Sequence, residues 1–87
     1  MMVNVELVGT LQKLANAKIC NVELGEEASV STLIQKLRTE VFSNRDFVDE
    51  SNLLVMKNGR EISVLKGFQT ELENNDCVTL IPVSHGG

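Results

Sequence analysis

The chain reads as an α+β domain in which one mixed sheet of four to five strands carries one main helix across a single face. Three observations point there. Apolar residues alternate with period two near both ends of the chain. One central segment carries a period of 3.6 instead, and an Asn-Gly pair separates two short extended pieces. Eighty-seven residues allow one such domain. The apolar share is 43%, with eleven Leu, eleven Val, four Ile and few aromatics, so the expected core is aliphatic and needs no metal or disulfide.

Each element follows from its own pattern. Met2 to Val8 places Val3, Val5 and Leu7 on one face and Asn4, Glu6 and Val8 on the other, which predicts a half-buried strand. Gly9-Thr10 breaks it, and Leu11 to Ala15 is a short helical turn. Lys18 to Leu24 alternates again and predicts a second strand, antiparallel to the first. Cys20, Val22 and Leu24 share one of its faces. Val30, Leu33, Ile34, Leu37 and Val41 form the stripe of an amphipathic helix ending near Phe42, with Ser29 or Ser31 as its N-cap. Asn44 to Asn52 is a polar loop with Phe47 and Val48 tucked beneath it.

Leu53 to Lys57 is a third strand. Its four consecutive apolar residues predict a central strand covered, at least partly, on both faces. Asn58-Gly59 is a hairpin signal, and Arg60 to Ile62 resumes an extended piece. Leu65 to Leu72 makes loops or a single helical turn, and Glu73 to Asp76 makes another turn. Cys77 to Val83 is the last strand, with Val78 and Leu80 inward and Thr79 and Ile81 outward. Pro82 predicts that this strand either ends there or lies at an edge. Residues 1–83 thus form the domain, and Ser84-His85-Gly86-Gly87 is an unpacked tail.

Composition excludes several kinds of function. Eight basic against twelve acidic residues give a net charge of −4, so no basic stripe is available for nucleic acid. Leu53 to Met56 is the longest apolar run, far short of a membrane span, and the N-terminus has no targeting pattern. The expectation is a cytoplasmic protein with no membrane partner. Cys20 and Cys77 read as buried or half-buried thiols rather than a redox pair. With His85 they are too few and badly spaced for zinc. One His, isolated internal glycines and merely adjacent carboxylates offer no acid, base and nucleophile set. No bound cofactor is expected, and the protein enters chemistry as a substrate.

The remaining feature is Gly86-Gly87, attached by a short polar tail to the last strand. With it, four stretches in order span nearly the whole chain. These are Leu7 to Ala15 (LVGTLQKLA), Ser29 to Ile34 (SVSTLI), Val55 to Arg60 (VMKNGR) and Leu72 to Gly87 (LENNDCVTLIPVSHGG). In these stretches the chain resembles the ubiquitin-like β-grasp sulfur carriers and modifiers. That group includes the molybdopterin synthase small subunit, the thiamine sulfur carrier, the ubiquitin-related modifier and the small archaeal modifiers. Asn74-Asn75-Asp76 replaces the family's usual GD turn, and Pro82 is single where one branch often has two. His85 before the glycines looks more like the ubiquitin-related modifier.

The resemblance implies a mechanism and partners. An E1-like enzyme uses ATP to adenylate the carboxylate of Gly87. The product becomes a thiocarboxylate for a synthase large subunit or thiolase (serving molybdopterin, thiazole or tRNA), or is joined to lysines of target proteins. Residues without Cβ suit a narrow channel, which explains Gly86 and Gly87. The resemblance also places Val8 and Ile81 at positions that contact such partners, with Met56 a possible third. The other reading is ordinary surface aliphatics. His85 either steers the tail or spaces it. A different class of function stays open: a non-catalytic β-grasp interaction module whose Gly-Gly is incidental.

Overall fold

The computed structural model describes residues 1–43 and 48–83. In chain order its elements are β1 (Met2–Leu7), α1 (Thr10–Ala15), β2 (Ile19–Glu23), α2 (Val30–Glu40), β3 (Leu53–Lys57), β4 (Arg60–Glu61) and β5 (Cys77–Pro82). Three 3₁₀ turns lie at Glu50–Asn52, Ile62–Val64 and Gly67–Gln69. The strands form one sheet in the order β2-β1-β5-β3-β4. β1 and β5 are parallel, and the other neighbouring pairs are antiparallel. This is the expected mixed sheet with one main helix, a β-grasp arrangement.

α2 forms because its apolar stripe has somewhere to go. Val30, Leu33, Ile34 and Leu37 are buried in one cluster with Val3, Val5 and Leu7 of β1 and with Val78 and Leu80 of β5. Ser29 is the N-cap. Its Oγ accepts from Thr32 N–H at 3.3 Å, and its own N–H donates to Thr32 Oγ1 at 3.3 Å, a reciprocal capping box. The helix stops at Glu40, because Val41 and Phe42 both donate their N–H to the Leu37 carbonyl. Phe42 then folds into the core. We expect Ser29→Ala to cost about 1 kcal/mol, lowering the melting temperature by roughly 4–8 °C. An unchanged thermal melt would show that the cap contributes nothing.

Three turns use backbone conformations the sequence anticipates. Gly9 ends β1 at φ 63°, ψ −131°, a region that side chains strongly disfavour. Asn58 and Gly59 both have positive φ (50° and 82°), as a two-residue type I′ hairpin requires. Asn75 turns into β5 at φ 70°.

Of the two alternatives for the last strand the first holds: β5 ends at Pro82, and it is the central strand. Pro82 is tolerated because it is the last strand residue, and the β1 pairing has already ended at Leu7 and Leu80. Beside the ring lies Gly9, where an added Cβ would sit 3.6 Å from Pro82 Cγ. Two expectations, on β3 and on Cys77, need correction. β3 is next to last, and only one of its faces is covered. Leu53 and Val55 are buried, but Leu54 is exposed and Met56 half-buried, so the apolar run reflects an apolar open face. Cys77 is exposed, because inward Val78 and Leu80 force it outward; Cys20 is half-buried, as expected. Val48 is fully buried as expected, while Phe47 lies outside the described residues.

A polar clamp fastens the β3–β4 hairpin to the start of β5. Buried Asp76 accepts from Asn58 Nδ2 at 2.9 Å and from Glu73 N–H at 2.7 Å, and Lys57 Nζ lies 3.5 Å away. Asn58 Oδ1 accepts from Cys77 N–H at 2.8 Å, while Asn58 N–H donates to the Cys77 carbonyl. Burial alone raises the Asp76 carboxyl pKa. The Asn58 and Glu73 hydrogen bonds and the Lys57 charge together outweigh it and hold the group below the ordinary carboxylate value.

Candidate functional site

α2 covers one face of the sheet and leaves the other open. That open face carries the outward residues of every strand. Ile81 is in register with Leu54, and Met56 with Thr79. Val8 follows Leu7, the partner of Leu80, and donates its N–H to the Leu80 carbonyl at 3.2 Å. Val8, Ile81 and Leu54 therefore form one row across β1, β5 and β3, with Met56 one pleat further in. Val8 and Leu54 are each 36% exposed, and Ile81 and Met56 are half-buried. Exposed Val83 follows directly after the row, so the chain leaves the sheet at this end.

The structure thus brings together Val8, Ile81 and Met56. Gly86, Gly87 and His85 lie outside the described residues. Leu54 was missed by sequence reasoning, because four apolar residues in a row hide the parity of β3. The Asn58-Gly59 hairpin pairs Met56 with Glu61 and Lys57 with Arg60, so both faces carry charge there and the hairpin does not reveal the parity either.

A second row lies one pleat below. It runs from Ile19 through Glu6 and Thr79 to Met56 and Glu61. Thr79 Oγ1 donates to Glu6 Oε1 at 3.1 Å. Glu61 is committed elsewhere, accepting from the N–H and hydroxyl of Ser63. Cys77 also faces outward, opposite Asn4, whereas Cys20 pairs with Val5 on the core side; the two thiols lie on opposite faces. Among the described residues no group of His, Cys, Asp and Glu is arranged to hold a metal ion. No helix among them is long and apolar enough to cross a membrane.

A five-stranded mixed sheet with parallel β1 and β5, one helix on one face and an open apolar row beside the exit of the last strand defines a ubiquitin-like β-grasp protein. Solved structures agree. Urm1 from Trypanosoma brucei superposes with a TM-score of 0.78 at 25% identity, covering 99% of this chain and 95% of that one. The small archaeal modifier SAMP1 from Haloferax volcanii gives 0.79 at 18% identity and full coverage of both chains. A chain of the BexX/CysO complex from Amycolatopsis orientalis gives 0.66 at 18% identity, covering 98% and 99%. No curated protein matches the sequence. The model of the Urm1 (ubiquitin related modifier) family matches residues 2–87. The chain belongs to that family, one of ubiquitin-like sulfur carriers and modifiers.

Proposed function

We propose that this is a cytoplasmic carrier protein activated at Gly87 by an E1-like enzyme. The Gly87 carboxylate attacks the α-phosphate of ATP, pyrophosphate leaves, and an acyl-adenylate forms. Sulfide then displaces AMP to give a thiocarboxylate (a persulfide displaces it to give an acyl disulfide, from which a thiol releases the thiocarboxylate and leaves as a disulfide), or a lysine amine of a target protein displaces AMP to form an isopeptide bond. The catalytic groups and the ATP site belong to the enzyme, and this chain binds no cofactor. A synthase large subunit or thiolase consumes the thiocarboxylate. The observation that carries this reading is the family match, which runs to Gly87 and includes the Gly-Gly pair.

Geometry supports where the enzyme docks. Gly87 stands four residues after Val83, so its carboxylate reaches at most about 14 Å from there. Any enzyme that takes this carboxylate into an active site must press against the adjoining sheet end, where Val8, Ile81 and Leu54 lie exposed or half-buried. Burying such a row on association is favourable. The adjoining residue His85 falls within the same reach and fills the spacer position.

Intact mass after incubation with ATP, the E1-like enzyme and a sulfide or persulfide source tests the reading. The expected result is a gain equal to sulfur replacing oxygen. No gain, and no adenylate either, would overturn it. We also expect Ile81→Asp to weaken binding of the activating enzyme by at least about tenfold, since a charge is placed at the centre of the apolar row. Calorimetry giving a wild-type Kd for that variant would move docking away from this face.

A further inference from the structure

The open face has a sign as well as an apolar row. Its strand positions carry three carboxylates, Glu6, Glu23 and Glu61, and among the described residues no Lys or Arg. Four of the basic side chains stand on the other side of the sheet. Lys57 is in register with inward Val78 and reaches Glu71 and Asp76. Arg60 pairs with Lys57 on that same side, while Lys36 and Arg38 ride on α2 across the opposite face.

The three carboxylates are not equivalent. Glu61 is tied to Ser63. Glu23 sits at the far corner, opposite Met2. Glu6 stands one pleat from Val8, about 7 Å along β1, directly beside the apolar row. Thr79, on the central strand, holds one of its oxygens at 3.1 Å. Among the described residues no cation pairs with it. An oriented, exposed carboxylate beside an apolar row loses less freedom on binding than a loose one.

We propose that Glu6, positioned by Thr79, is the charged anchor of the docking face, and that the activating enzyme presents a lysine or arginine to it beside an apolar surface that covers Val8, Ile81 and Leu54. This rests on the carrier reading above. The apolar row sets how long the complex lasts, and Glu6 sets how fast and in which register it forms. The partner is thereby defined by chemistry as an apolar patch with a basic residue at its margin.

Stopped-flow association of the full chain with its activating enzyme tests this at about 0.05 M and about 1 M salt, where the Debye length falls to about 3 Å. Glu6→Lys is expected to lower kon about tenfold at low salt, with the gap closing at high salt. Glu6→Gln keeps the shape and is expected to lose roughly threefold. Glu23→Lys, the same charge change on the same face but outside the footprint, is expected to change kon less than about twofold. A wild-type rate for both Glu6 variants overturns the anchor. Equal losses for Glu6→Lys and Glu23→Lys overturn it too, since they mean diffuse steering. A wild-type chain that sediments as a dimer, and as a monomer once Glu6 is Lys, assigns the face to a second copy instead. If the wild-type chain gains neither AMP nor sulfur, the carrier reading itself fails. A normal gain with unaffected Glu6 variants removes only this assignment.

Discussion

Deleting Gly87 should abolish the ATP-dependent mass gain, by at least about a thousandfold in rate, while leaving the thermal melt unchanged. The truncated chain still ends in a glycine, Gly86, with a free carboxylate. Chemistry at the terminus is therefore conserved, and only reach is lost, by about 3.5 Å. A reacting atom misplaced by about 1 Å already loses on the order of a hundredfold. A carboxylate held back by a whole residue falls outside attacking distance of the α-phosphate. Stability is expected to be untouched because, among the described residues, the buried core cluster runs from Val3 to Leu80. Gly87→Ala separates reach from bulk. It keeps the length and adds one methyl at the channel, so a partial loss is expected. A module whose Gly-Gly is incidental would keep its partner in both variants. Intact mass and a binding isotherm on the same samples decide between the two. A full mass gain in the deletion variant would show that the reach of Gly87 is not needed and end the assignment of Gly87 as the reacting terminus.

How far the sequence could be read depended on how local each cause was. α2 was legible because its stripe, its cap and its polar face sit within a dozen residues, and the Asn58-Gly59 turn because two positive φ angles need those residue types. The strand faces of β1, β2 and β5 followed from alternation alone. What stayed open or failed was set by contacts distant in the chain. Of the two readings of Pro82, a strand end rather than an edge holds because β1 stops opposite Leu80, which no feature near Pro82 announces. The face of Leu54 and Met56 depends on register with β5. Half of the candidate site was named from the sequence, as Val8 and Ile81 with Met56 in support. Glu6 was not, because its orientation comes from Thr79, 73 positions away.

Asp76 belongs to the same illegible class, since as a sequence feature it is one more turn residue. We expect Asp76→Ala to destabilise the fold by about 2–4 kcal/mol, lowering the melting temperature by more than about 10 °C. The clamp is the cause. Alanine leaves Glu73 N–H and Asn58 Nδ2 without their acceptor and Lys57 without its counter-ion, all at the junction where β5 enters the centre of the sheet. Asn58 also carries the hairpin and both polar contacts to Cys77, so its loss of anchorage spreads to β3 and β4. The pH dependence has a definite sign. The folded-state carboxyl titrates below its unfolded value, so its stabilisation is complete above the unfolded pKa of about 3.9 and is lost as pH falls through the folded pKa. The gap in stability between wild type and Asp76→Asn, which keeps the shape and one acceptor but not the charge, should be constant from neutral pH down to about 5. It should then shrink below about pH 4. Urea unfolding of the two proteins across that range measures it. A gap independent of pH would show that shape and hydrogen bonding, not the charge of Asp76, hold the clamp. A wild-type midpoint for Asp76→Ala would show that the clamp is not needed to seat β5.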